Sequence, residues 1–124
     1  MKNIKKTTDD DLTVFSVTGT ITVKELIEVV IDFYKDSTTP NIIWDFTKSD
    51  LTGLREKDLE NIAFVTLKYS ENRPSGKTAI VSNSDEMATR LTKFYEEKIS
   101  YVPLPFVTKS FSDMDKAYGW IHSK

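Results

Sequence analysis

The sequence predicts a single α/β domain over residues 1–124, with a mixed, mostly parallel five-stranded sheet and helices packed around it. Residues 41–46 form a continuous apolar run, which is typical of a strand buried on both faces of a parallel sheet. Further strand patterns alternate with amphipathic helix patterns, as right-handed crossovers between parallel strands require. Only Asp9, Asp10 and Asp11 separate the first two strand patterns, so those strands form an antiparallel hairpin.

The first half of the chain has the predicted order β-β-α-β, and the signals for each element are local. Strand patterns cover residues 3–8 and 12–18. Thr22 and Glu25 then form a capping box, which opens an amphipathic helix that ends before Ser37. The buried strand 41–46 follows, and an acidic, hydroxyl-rich loop is predicted after it.

The second half repeats the alternation and gives α-β-α-β-α. Apolar spacing predicts a helix over about 54–69, with Thr52 as its N-cap. Strands are predicted at 77–82 and 106–109. Ser84 is the predicted N-cap of the third helix, and Ser112 with Asp115 is the predicted capping box of the last. Met87 and Tyr118 are predicted to face the core from those two helices.

Composition excludes several classes of function. The chain has no cysteine, so it has no disulfide, thiolate nucleophile or thiolate metal site. A net charge of −2 does not favour nucleic acid. The single histidine, His122, lies beside the C-terminus, where a surface position is expected. With no signal peptide or apolar run of membrane-spanning length, we expect a cytoplasmic protein without stable membrane insertion.

Four segments resemble the SpoIIAA-like group of STAS-related domains, whose fold is similar to that of CRAL-TRIO-type lipid-transfer domains. They are residues 14–22, 43–46, 77–82 and 111–121, and the last is the most specific because an aromatic and an acidic helix start precede Ala-x-x-Trp-Ile. The resemblance covers nearly the whole chain. It implies a bacterial, mostly non-enzymatic interaction module.

The resemblance also implies a phosphoacceptor candidate. The anti-sigma antagonist branch switches by phosphorylation of a serine in an Asp-Ser-Ser-Gly-Leu motif at a helix N-terminus. Here Asp50, Gly53 and Leu54 match, and Thr52 keeps a hydroxyl, but Leu51 replaces one serine. A phosphate on Thr52 would be favoured by free helix amides, whereas simple N-capping explains the same residue.

Polar residues at the carboxyl ends of two predicted strands are candidates for ligand or partner binding, because open α/β folds place their sites there. They are Asp45, Thr47, Ser49, Ser82, Asn83 and Ser84. Turn formation and helix capping explain the same residues. No histidine or cysteine stands nearby, so we predict no catalytic residue, no metal site and no cofactor.

Apolar residues outside the core patterns are candidates for an interface: Phe64, Leu67, Tyr101, Val102 and Leu104. The segment from Tyr101 to Pro105 is expected to pack under the neighbouring helix, or else to form an exposed patch. The second helix is apolar nearly all round, which a dimer contact or an apolar cavity would explain.

Two function hypotheses follow. The first is a non-enzymatic protein-interaction module that forms a homodimer. The second is a binder of a small apolar molecule or lipid, with a cavity between the sheet and the second or third helix lined by Phe64, Leu67, Leu91 and Tyr95.

Overall fold

The computed structural model describes residues 3–36, 38–83 and 85–123, and it has the predicted order of strands and helices. The elements are β1 (Ile4–Asp9), β2 (Leu12–Thr20), α1 (Val23–Lys35), β3 (Asn41–Asp50), α2 (Glu56–Tyr69), a 3-10 turn (Ser70–Asn72), β4 (Lys77–Ser82), α3 (Glu86–Ser100), β5 (Val107–Phe111) and α4 (Met114–Ile121).

The five strands lie side by side in chain order. β1 is antiparallel to β2, and every later pair is parallel, which confirms the predicted mixed sheet. Helices α1, α2 and α3 cover one face, where Ile42 and Ile80 join the larger core. Helix α4 covers part of the other face, where Ile43 and Val81 pack against Ala117. The alternation of side chains along buried strands therefore supplies both cores.

Strand β3 is longer than predicted. It continues beyond Phe46 to Asp50, because its polar end pairs with the last residues of β2, Thr18 to Thr20. The register shifts after Asp45, where two residues of β3 lie opposite one residue of β2. This β-bulge breaks the alternation of side chains, so the sequence pattern of the polar end does not indicate a strand. Thr47 and Ser49, predicted in a loop, lie within β3.

Three of the predicted helix caps are wrong. Arg55, not Thr52, is the N-cap of α2, and its N–H donates to the Asp58 carboxylate over 2.9 Å. Asp113, not Ser112, caps α4. Asp85 caps α3 through the Ala88 amide, while the predicted cap Ser84 lies outside the described residues. For α3 and α4 the local signal was ambiguous because an adjacent serine and aspartate share the capping chemistry, whereas α2 begins at an arginine that makes no side-chain cap bond. The capping box of Thr22 and Glu25 is confirmed.

The inward faces of α3 and α4 also differ from prediction at one position each. Met87 is 40% exposed and Tyr118 is 37% exposed, whereas Ala88 and Ala117 are buried. Each helix begins one residue later than its predicted cap implied. In α3 it is Ala88 rather than Met87, and in α4 Ala117 rather than Tyr118, that packs inward.

Of the four glycines, Gly76 leaves the least room for a side chain, which generates a stability prediction. Its φ is +123°, and a Cβ there would lie 1.7 Å from the Pro40 carbonyl oxygen. We expect Gly76→Ala to lower the free energy of unfolding by about 3 kcal/mol or more, measured by urea denaturation.

Gly119→Ala is the matched control. A Cβ at this α4 position meets nothing within 4 Å, so the substitution should raise stability by about 0.5–1 kcal/mol through helix propensity. Equal effects of the two substitutions would contradict this account.

Candidate functional site

The polar residues predicted at the carboxyl edge of the sheet are bonded locally. Asp45 Oδ1 accepts from the Thr47 amide at 2.9 Å and from the Thr47 hydroxyl at 2.6 Å. The buried Ser49 hydroxyl donates to the Phe46 carbonyl. These contacts stabilise the bulged end of β3, and a binding role for the three residues stays a prediction.

The end of β4 meets the same edge. The Asn83 side-chain Nδ2 lies 3.5 Å from the Thr47 backbone carbonyl oxygen, and Asn83 Oδ1 accepts from the Asp85 backbone amide at 2.9 Å. Ser82 is buried opposite Phe46 in the sheet. The two strand ends are thus adjacent, as predicted, while Ser84 lies outside the described residues.

The loop between β3 and α2 exposes Thr52 between two anchoring leucines. Leu51 and Leu54 are buried in the larger core, which fixes the loop on both sides. The Thr52 amide donates to Asp50 Oδ1 at 2.9 Å. Hydrogen bonds from the Thr52 side chain and backbone lower the pKa of the Asp50 carboxyl, so an ionised carboxylate stands beside the Thr52 hydroxyl.

An exposed apolar groove lies where α2 meets the C-terminal end of α3. Its volume is about 250 Å³, and we call it the α2–α3 groove; its lining residues are Glu60, Ala63, Phe64, Leu67, Lys98, Tyr101 and Val102. Phe64 is 70% exposed and Tyr101 is 81% exposed. On its rim, Lys98 Nζ lies 3.6 Å from a Glu60 carboxylate oxygen.

Four of the five predicted interface residues therefore meet in this groove. Leu104 does not, because it is half-buried and packs against the larger core. The expected packing of the segment from Tyr101 to Pro105 under a helix is wrong for Tyr101, which extends into solvent. The prolines at 103 and 105 are exposed as well, so the exposed-patch alternative describes most of this segment.

A second cavity lies inside the molecule, between the sheet and helices α1 to α3. Its volume is about 90 Å³. Leu91 and Tyr95 line it, as predicted. Phe64 and Leu67 do not, because they lie on the outer side of α2, in the α2–α3 groove.

The interior cavity has one polar end, built around Arg73. The Arg73 side chain is only 1% exposed. Its Nε and Nη2 donate to the Pro40 carbonyl at 2.9 and 2.8 Å, and Nη2 also donates to the Lys77 carbonyl at 2.9 Å. Nη1 donates to the Tyr34 hydroxyl at 3.3 Å, and the guanidinium lies 4.0 Å over the Phe106 ring.

Burial shifts the ionisation of this cluster. Desolvation lowers the pKa of Arg73, but a guanidinium in a protein stays protonated. Desolvation raises the pKa of Tyr34, and it raises the pKa of Tyr95 to about 12. At neutral pH the cluster therefore contains a buried cation and two neutral phenols.

No pattern in the sequence predicts this cluster. Arg73 stands in the turn Asn-Arg-Pro-Ser-Gly, where an arginine is ordinarily solvated, and Tyr34 belongs to an ordinary apolar helix face. No local pattern connects two residues that are 39 positions apart.

Comparison with known proteins identifies the fold. No family model and no curated protein matches the sequence. Among solved structures, the chain is similar to the crystal structure of an anti-sigma factor antagonist from Mycobacterium paratuberculosis.

The chain has the fold of that antagonist. The TM-score is 0.65 at 19% sequence identity, and the match covers 97% of this chain and 93% of the other. This confirms the fold that the SpoIIAA-like resemblance implied.

The described residues contain neither a grouped set of metal ligands nor a membrane-spanning helix. Across residues 3–36, 38–83 and 85–123, no three acidic or histidine side chains are grouped to hold a metal ion. In the same residues, no helix has the length and apolar character to cross a membrane.

Proposed function

We propose that the protein is a cytosolic, non-enzymatic regulatory module that works by binding protein, and that it binds a second copy of itself through the α2–α3 groove. The observation that carries this proposal is the exposure of two aromatic side chains, Phe64 and Tyr101, in one apolar groove. Exposed aromatics in a concave surface are typical anchors of protein interfaces. The fold shared with an anti-sigma factor antagonist supports the class of function.

The rim of the groove favours a second copy as the occupant. Lys98 and Glu60 give it charges of both signs, 3.6 Å apart at their nearest atoms. In a two-fold symmetric contact the same patch meets itself, so Lys98 of each copy can approach Glu60 of the other. A surface with both signs is self-complementary, whereas a rim of one sign would repel its own copy.

Self-association predicts a specific effect of Phe64→Ser. Losing a central aromatic anchor should weaken dimerisation about tenfold or more, because such anchors contribute at least about 1.4 kcal/mol. Sedimentation equilibrium over a range of protein concentrations measures the effect. Tyr118→Ser is the matched control, since Tyr118 is an exposed aromatic on α4 at the opposite face of the sheet.

A wild-type protein that stays monomeric at every concentration would contradict self-association. An equal loss of dimer with Tyr118→Ser would place the interface elsewhere.

A second candidate function is a switch by phosphorylation of Thr52. The observation that favours it is that Thr52 is exposed and does not cap α2, so capping does not occupy its hydroxyl. Phosphate there would bring roughly two negative charges beside the ionised Asp50. Repulsion would separate the two side chains and reshape the loop, which is how a modification changes a binding surface.

Phosphorylation of Thr52 is tested on protein purified from its native cells. We expect intact mass spectrometry to show a fraction carrying one added phosphate, and fragmentation to place it on Thr52. Thr52→Ala should remove that fraction, whereas Ser49→Ala should leave it, because the Ser49 hydroxyl is buried and donates to a backbone carbonyl. A phosphate on any other residue would contradict the switch.

A further inference from the structure

We propose that the interior cavity binds a small carboxylate with a short apolar body, its carboxylate held at Arg73 and Thr78. This site is separate from the α2–α3 groove and does not depend on the function proposed above.

The cavity is too large and too polar at one end to be a simple packing defect. At about 90 Å³ it has roughly six times the space of about 15 Å³ that one water molecule needs. Protein interiors rarely leave voids larger than a water molecule. Leucines from α1, from the loop before α2, and from α2 line its apolar part: Leu26, Leu51, Leu54 and Leu59.

The charge of Arg73 has no carboxylate partner among the described residues, whose salt bridges are Lys93 with Glu96 and Lys98 with Glu60. Buried charges are normally paired, because an isolated charge is costly to desolvate. Arg73 is instead held by two backbone carbonyls and a phenol, which satisfy hydrogen bonds but do not cancel its charge. An anionic ligand would supply the missing charge.

Thr78 provides the second, independent observation. Its side chain lines the cavity and is 7% exposed, and its hydroxyl has no hydrogen-bond partner. Thr78 follows Lys77, whose carbonyl accepts from Arg73, so the hydroxyl and the guanidinium lie at the same end. A buried, unsatisfied hydroxyl in a cavity wall is expected where a ligand completes the bond.

The charge and the available donors at this end favour a carboxylate. The four hydrogen bonds of Arg73 use four of its five N–H groups, so one remains, and the Thr78 and Tyr34 hydroxyls also keep a hydrogen to donate. A carboxylate brings one negative charge to one cation, whereas a phosphate group would bring up to two. The leucine-lined remainder matches a short alkyl chain.

Hexanoate and 1-hexanol test the proposal on the full chain, because they share the six-carbon chain and differ in the charged group. We expect ¹H–¹⁵N NMR titration to give saturable shifts for hexanoate, at Thr78 and its neighbours in β4, with an affinity at least tenfold above that of 1-hexanol.

Two variants locate the binding site. Thr78→Val keeps the shape and removes only an unsatisfied hydroxyl, so the protein should fold and bind hexanoate about fivefold or more weakly. Phe64→Ser changes the α2–α3 groove and should leave hexanoate affinity unchanged. A substitution of Arg73 is not a suitable test, because its side chain bonds two backbone carbonyls and its loss would disturb the fold.

Three outcomes would overturn the proposal. Absence of saturable shifts with hexanoate would show that the cavity does not take the small carboxylate that the proposal names. Equal affinity for 1-hexanol would show that the cation does not select a carboxylate. Loss of binding with Phe64→Ser, but not with Thr78→Val, would place hexanoate in the groove.

Discussion

A single buried guanidinium, that of Arg73, joins the end of α1 to the starts of two neighbouring strands of the sheet. Its bonds to Pro40 and Lys77 tie the start of β3 to the start of β4, and its bond to Tyr34 reaches the end of α1. Hydrogen bonds to a charged donor are stronger than neutral ones, and here they offset part of the cost of removing the cation from water. Gly76 lets the backbone of this connection pass against the same Pro40 carbonyl.

This constraint also shapes the interior cavity and the α2–α3 groove. Arg73 follows α2 and its 3-10 turn, so the anchored connection fixes the C-terminal end of α2 over the sheet. Thr66 on the inner side of α2 lines the interior cavity, and Phe64 on the outer side lines the α2–α3 groove. One helix therefore separates the proposed ligand site from the proposed protein interface. The apolar residues all round α2 follow from these two contacts.

The fold was predictable from the sequence because its signals are local and repeated. The apolar run at 41–46, the Thr22 capping box and the alternation of strands with helices each indicate one arrangement. The extension of β3 to Asp50 was not predictable, because a bulge interrupts its period and its last residues are polar. Met87 and Tyr118 were missed because each lies at the margin of an inward face, beside the buried Ala88 and Ala117, where apolar spacing alone does not decide burial.

The two candidate sites differ in how far the sequence predicts them. The residues of the α2–α3 groove stood out because apolar side chains fell outside the core pattern, and four of the five meet in the structure. The cluster around Arg73 gave no such signal. The partners of Arg73 are two backbone carbonyls and a phenol from separate elements, and a sequence pattern does not show which backbone groups a side chain will meet. Contacts of this kind become visible only when the chain is folded.

We propose the α2–α3 groove as the surface through which the protein associates, and hydrogen–deuterium exchange tests this at protein concentrations far above and far below the association midpoint. We expect concentrated protein to gain protection in the C-terminal half of α2 and in residues 98–102, and not in β1, β5 or α4. Added protection along the sheet edges or α4, with none at the groove, would contradict it.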